Sequence, residues 1–241
     1  MGEHRTMRSA HVLREAPATI SRHFGVDAVP HFDRRQEMRP ATSVPIVRWV
    51  SDPDGWAAAS PPRECILAHW GLVPPSSRDM RFGLRCITAR SETVERLPAF
   101  RTAYRQRRCL VPVNAYFEFG GERAGAARWR IELADGGLFA LAGLWEAWRD
   151  PATAAVIESF AIVTCRANAD VAGIRGRMPV IVAPPDHDAW LDPRVNPRGL
   201  LVPFAGGALR VARDDAVEAM PRPALPSTRF GLVDLLAVVA A

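Results

Sequence analysis

The sequence predicts an α+β fold: a single mixed domain spanning residues 1–241, with a mostly antiparallel, β-rich core and peripheral helices. Two observations predict it. Apolar, β-branched segments outnumber helical ones and do not alternate with them, which argues against a doubly wound parallel sheet. No internal repeat or low-complexity linker divides the chain, and at 241 residues it is long enough for one full core.

The elements follow in order. Residues 1–10 read as a flexible lead-in, and "APATISRHFGV" as a short helix ending near Gly25. "HFDRRQEMRPATS" is loop-like. "SVPIVRWV" (43–50) is a strand, and "SDPDGWAAASPPR" a turn-rich loop joining it to "ECILAHWGLVP" (64–74). "LRCITARSE" (84–92) is a further strand. "LPAFRTAYRQRR" (97–108) is helical, with Phe100 and Tyr104 on one face and Arg101, Arg105 and Arg108 on another. "CLVPVNAYFEFG" (109–120) is a strand with an early proline. "RWRIELADGGLFALAGLWEAW" (128–148) reads as a hairpin about Asp135-Gly136-Gly137. "ESFAIVTCRA" and "RMPVIVAP" are strands on either side of a helical connector, "NADVAGI". "PDHDAWLD" opens a helix, "GALRVAR" suggests a strand, and "GLVDLLAVVAA" a terminal helix or strand.

Charge narrows the chemistry. There are 31 basic and 26 acidic residues, a net charge of +5, and every basic residue is arginine. Without lysine there is no side-chain Schiff base and no P-loop lysine, so only the α-amine could form an imine. Arginine suits bidentate phosphate contacts, and the mild basic excess permits a nucleic-acid partner without requiring one. No apolar run is long enough to span a membrane, and the first ten residues have no secretory core, so a cytoplasmic setting is expected, with nucleoid association allowed. Cys65, Cys86, Cys109 and Cys165 form no C-x-x-C pair and sit in apolar contexts. They read as buried free thiols, and no metal or other cofactor is implied.

Two groups remain for chemistry. Glu118, in "NAYFEFGG", is flanked by Phe117 and Phe119. Desolvation there would raise its pKa and make it a general acid or base, although strand alternation favours turning it outward. The second group is basic. Arg90, Arg96, Arg101, Arg105, Arg107 and Arg108 run close together and are read either as a solvated helix face or as a phosphate track. Arg175 and Arg177, in "GIRGRMPVIV", could join them in space.

Several segments together resemble the SOS-response-associated peptidase (SRAP) family: "WGLVPP" (70–75), "ITARSETV" (87–94), "FRTAYRQRRCLVPVNAYFEF" (100–119), "FALAGLWEAW" (139–148), "IVTCRANADV" (162–171) and "RMPVIVAPPDHDAWLDP" (177–193). Their order and spacing match across residues 40–193. The resemblance implies a β-barrel-like core with a basic groove for single-stranded DNA. It also implies recognition of abasic sites, in which the α-amine of a processed N-terminal cysteine attacks the sugar aldehyde and the thiol closes a thiazolidine. An asparagine, a glutamate and a histidine assist.

Carried over by position, the glutamate is Glu118, and the DNA-contacting arginines are Arg90 and Arg177. The asparagine falls on Thr88, the histidine on Arg175 and the cysteine on Arg8, so three of these catalytic positions are substituted. The expected outcome is a divergent member that binds single-stranded DNA, including abasic sites, without covalent capture. In that member Arg90 and Arg177 grip phosphate, Arg175 adds charge, and Arg101, Arg105 and Arg108 make outer contacts. Two alternatives stand beside it. One is an enzyme using Glu118 with the Gly2 amine or Cys86, whose side chain would share a strand face with Thr88. The other is a phage- or operon-associated protein-interaction paralogue.

Overall fold

The computed structural model describes residues 9–50, 62–120 and 127–214. Gly2, Arg8, the 51–61 loop and the "GLVDLLAVVAA" tail lie outside them. Residues 10–12 form a buried strand, β1, so the lead-in expected over residues 1–10 does not include Ala10, and residues 1–8 of it lie outside the described residues. Helix α1 (Pro17–Phe24) starts on a proline, whose missing N–H costs nothing there, and stops at Gly25 in the left-handed conformation. Ile20 and Phe24, one turn apart, are buried.

Strands β2 (Ser43–Trp49) and β3 (Arg63–Trp70) pair antiparallel. With β5 (Arg108–Val113), β8 (Phe139–Arg149) and β9 (Val156–Arg166) they close a ring: β2 pairs with β5, β5 with β8, β8 with β9, and β9 with β3. Closure removes free edges. The β3–β9 contact is parallel and the other ring contacts are antiparallel. The interior is apolar, with Trp70, Phe160, Ile46 and Leu110 wholly buried. Short strands β4 (Thr88–Arg90), β10 (Arg177–Pro179) and β11 (Ile181–Val182) extend the ring, β4 and β10 along β9 and β11 along β8. The second sheet, in the order β1-β6-β7-β12, contains β6 (Ala115–Gly120), β7 (Ala127–Leu133) and β12 (Leu209–Arg213).

Several sequence expectations change. Residues 109–120 are two strands in different sheets, broken at Asn114. Asn114 fastens that corner: its side chain accepts the Arg14 N–H at 2.8 Å and donates to Glu15 at 2.9 Å. The Asp135-Gly136-Gly137 turn carries the chain from one sheet to the other and joins no hairpin, since β7 pairs with β6 and β12 whereas β8 pairs with β5, β9 and β11. The turn chemistry is as read, with Gly136 at φ 73°. In the 84–92 segment only β4 is strand. Residues Met80–Arg85 form a 3-10 turn, because Asp79 caps the Arg81 N–H. The helical segment is α2 (Arg101–Gln106), which buries Ala103 and Tyr104.

Arg108 departs furthest from expectation. It is only 3% exposed and begins β5. Its guanidinium donates to the carbonyls of Tyr104 (2.7 Å), Arg105 (3.3 Å), Val195 (3.0 Å), Trp190 and Asp192. It knots α2 to helix α4 (His187–Leu191) and the loop after it. An outer phosphate contact by Arg108 is therefore excluded, because every donor is turned inward.

Candidate functional site

The site is built where the end of β6 meets the loop before β10. A Cβ added to Gly120 would lie 2.1 Å from the Ile174 carbonyl oxygen, so the two backbones touch there only because residue 120 has no side chain. That contact brings Arg175 onto β6. Its Nη1 donates to the Phe119 carbonyl at 3.1 Å, and its Nε lies 3.4 Å from Glu118 Oε2. Helix α3 (Ala169–Ala172), capped by the Asn168 side chain on the Val171 N–H, sets the loop's path.

Glu118 is turned inward, against the alternation argument: its side chain is 17% exposed. Burial pushes its carboxyl up to about 7, while the Arg175 charge and a backbone N–H pull it back. Half or more of this group is protonated at pH 7 or below. Both its protonated and its ionised form are populated near neutrality, which suits a general acid or base.

Arg177 leads β10 and turns the other way. Its fork is bidentate on Glu92, at 2.9 and 2.8 Å, and it also donates to the Thr164 carbonyl at 2.7 Å. The Arg177 fork holds the Glu92 carboxyl well down, to about 2. Arg90 ends β4 with its side chain exposed, directly opposite Thr164 in the register. Arg90 and Arg177 are thus brought to one spot, on either side of Thr164. Thr88, two residues back on β4, is half-buried. Arg101 and Arg105 are exposed on α2.

Cys86 is not the thiol the alternative requires. It follows the 3-10 turn at φ −119°, ψ 36°, outside β4, so the shared strand face with Thr88 is lost. It is buried, and burial pushes its thiol up to about 11, leaving almost no thiolate at neutral pH. All four cysteines are free and buried, as read. Among the described residues no cluster of three or more His, Cys, Asp or Glu side chains could hold a metal ion, and no helix is long and apolar enough to cross a membrane.

Sequence reasoning missed three participants. Glu92, within the basic run, occupies the Arg177 fork. Tyr116, two residues before Glu118, shares its face of β6, and its buried hydroxyl has no hydrogen-bond partner among the described residues. His11 sits opposite Tyr116 in the β1–β6 register, wholly buried, its ring 4.9 Å from that of Trp70. Burial holds the His11 imidazole neutral, lowering it to about 3. A signal existed: His11 and Tyr116 are polar residues inside apolar strand patterns.

The fold and site define an α+β protein with a barrel core that carries an inward carboxylate and an arginine-lined rim on strand ends. The chain belongs to the family described as SOS response associated peptidase (SRAP), whose profile matches residues 7–215. The chain is 34% identical over 127 residues to the abasic site processing protein YoqW of Bacillus subtilis, covering 52% of this chain and 56% of that one. It is 34% identical over 141 residues to the abasic site processing protein YoaM of the same organism, covering 56% and 62%. The matches thus span less than two thirds of these relatives' length. A protein of Bacteroides thetaiotaomicron superposes with a TM-score of 0.75 at 23% identity, over 85% of this chain and 90% of that one. A Bordetella bronchiseptica protein superposes with a TM-score of 0.70 at 25% identity, over 86% and 98%. These neighbours support the fold.

Proposed function

We propose that this protein acts on damaged DNA by binding single strands, abasic sites included, at the Glu118–Arg175–Arg177 rim, without forming a thiazolidine crosslink. The observation that carries this reading is the contact between Arg175 and Glu118. Arg175 stands where the resemblance places a histidine, and a guanidinium keeps its charge at every working pH, so it cannot shuttle a proton. It points at the acid the reaction would use, and its charge favours that acid's ionised form against the effect of burial. The names of the Bacillus relatives and family membership support a DNA-damage role, and Arg90 and Arg177 flanking Thr164 supply adjacent cations for phosphate. Thr88 brings a hydroxyl where the resemblance places an amide, and the Arg8 position has no thiol. Arg101 and Arg105 remain as exposed outer contacts. The working compartment on this reading is the cytoplasm.

Glu92 occupies the Arg177 fork with two carboxylate oxygens, the geometry a phosphate would take. Binding then exchanges one anion for another. Exposed ion pairs are worth no more than about 1 kcal/mol, so that exchange costs little.

A second reading is favoured by one observation: a carboxyl near 7 is a competent general acid or base. With an α-amine as nucleophile, such a site would be an abasic-site lyase acting through a transient imine. One experiment separates the two. The protein is incubated with single-stranded DNA containing one abasic site, with and without borohydride, and run on native and denaturing gels. A salt-sensitive native shift with no denaturant-stable adduct is expected. An adduct without reductant overturns the proposal. Borohydride trapping with strand cleavage moves the protein to the lyase reading, and the lack of any shift leaves a protein-interaction module.

A further inference from the structure

A second basic site lies away from the rim. A cleft of about 730 Å³ is lined by Arg14, His31, Phe32, Asp33, Arg34 and Arg35. It sits at the opposite end of the β1–β6 ladder from Glu118. Val12 pairs with Ala115, and Arg14 follows Val12 past the Asn114 corner, while Glu118 is three residues along β6 in the other direction. At about 3.3 Å per residue, Ala115 lies roughly 10 Å from Glu118 along the strand, and the cleft begins beyond Ala115.

The cleft's charge is not internally neutralised. The side chains of Arg14, Arg34 and Arg35 are exposed and make no ion pair or hydrogen bond with any described residue. This contrasts with Arg175 and Arg177, which are both held by carboxylates. The one acid in the cleft, Asp33, turns its carboxylate onto the Arg35 backbone N–H at 2.9 Å, shaping the loop. That turn carries Arg34 and Arg35 side by side. Phe32, half-buried and packed on the core, gives the cleft a fixed aromatic wall.

Three guanidinium groups against one carboxylate, beside a phenyl ring packed on the core, match one ligand chemistry, a phosphodiester carrying a base. The arginines neutralise the backbone and the ring stacks the base, which is how sequence-tolerant single-strand sites are made. We propose that this cleft is a second nucleotide-binding site, taking the phosphates and one stacked base of a single strand whose neighbouring nucleotides lie on the Glu118 rim. The proposal rests on the single-strand reading above and adds to it a contact set remote from any chemistry. It makes the bound strand run along β6 instead of ending at the rim.

The test uses the full chain and an oligothymidine strand without an abasic site, so that no covalent step intervenes. Affinity is measured by fluorescence anisotropy across a salt series for the wild type, Arg34→Ala/Arg35→Ala, Phe32→Leu and Arg90→Ala/Arg177→Ala. Arg34 and Arg35 are exposed and unpartnered, so their double variant should keep the wild-type melting temperature. It should lose about tenfold in affinity and flatten the salt dependence by about 0.7 for each phosphate contact removed. Phe32→Leu keeps an apolar wall without a stacking face, and should lose about fivefold with the salt slope unchanged.

Unchanged affinity in Arg34→Ala/Arg35→Ala, with a wild type that binds and an Arg90→Ala/Arg177→Ala that does not, overturns the cleft and leaves the rim standing. Loss in Arg34→Ala/Arg35→Ala with no loss in Arg90→Ala/Arg177→Ala keeps the cleft and removes the rim. Competition by thymidine monophosphate as effective, per phosphate, as the strand overturns a strand as the ligand. A wild type that does not bind overturns both sites.

Discussion

Arg108 and Arg177 make the same kinds of bond with opposite consequences. Arg108 is buried and gives its donors to backbone carbonyls from two segments, Tyr104–Arg105 and Trp190–Val195. Arg177 is half-exposed and divides its donors between one surface carboxylate, Glu92, and the carbonyl and hydroxyl of Thr164. Backbone carbonyls cannot leave, so Arg108 is part of the fold. A surface carboxylate can swing away, so Arg177 can exchange its Glu92 partner while Thr164 keeps the guanidinium in place. An arginine's partner, more than its charge, decides whether it holds structure or is available to a ligand.

That difference can be broken most severely at Arg108. Replacing it with alanine strands several buried carbonyls, and a loss of about 3 kcal/mol or more is expected, read from urea denaturation. Stability unchanged within about 1 kcal/mol would mean water satisfies those carbonyls.

Next comes Gly120→Ala. The Ile174 carbonyl is backbone and cannot rotate away, so the loop must shift, at about 1–3 kcal/mol. The same shift should draw Arg175 off Glu118, so the carboxyl should rise from about 7, measurable by NMR titration. A fall would refute Arg175 as the group pulling it down.

Glu118 sharpens the comparison through pH. Its folded pKa is about 7 against the ordinary 4.5, so the unfolded chain releases the proton first. Stability from this group therefore falls as pH rises from 4.5 to about 7, then levels. In Glu118→Gln that component should vanish, leaving the variant more stable than wild type at pH 8 by roughly 1–3 kcal/mol and nearly equal to it at pH 4.5. Strand binding should tighten as pH drops through 7, because protonation removes a negative charge from beside Arg175. The smallest effect belongs to Arg177→Ala. It should cost no more than about 1 kcal/mol of stability, while lowering strand affinity and flattening its salt dependence. A large stability loss would put Arg177 with Arg108.

Much of the fold was legible. The strand segments, α1 with its Gly25 stop, the buried Phe100–Tyr104 pair and the buried thiols all follow from local pattern. What failed were questions of partnership. Nothing in "ADGG" says whether flanking strands pair with each other, because the same turn can close a hairpin or hand the chain to a second sheet. The strand read across 109–120 hid a corner, since Asn114 breaks it by bonding residues about a hundred positions away. In the site, Glu118 and both arginines were named from the sequence, but the orientation of Glu118 was misjudged and Glu92 was overlooked. Alternation tells which residues share a face, not which face is covered.

By itself the sequence determined the element types, the family and the inventory of groups: arginine without lysine, four cysteines without a C-x-x-C pair, and one acid between two phenylalanines. Those depend on side-chain chemistry and short-range pattern. Only the tertiary structure decided that Arg108 is a knot, that Arg177 is held by Glu92, and that Arg175 meets Glu118. Each depends on a contact between distant segments, and the last on a glycine small enough to let two backbones touch. Burial and partner, which set whether a charge is spent or available, are properties of the closed barrel and of no single stretch of chain.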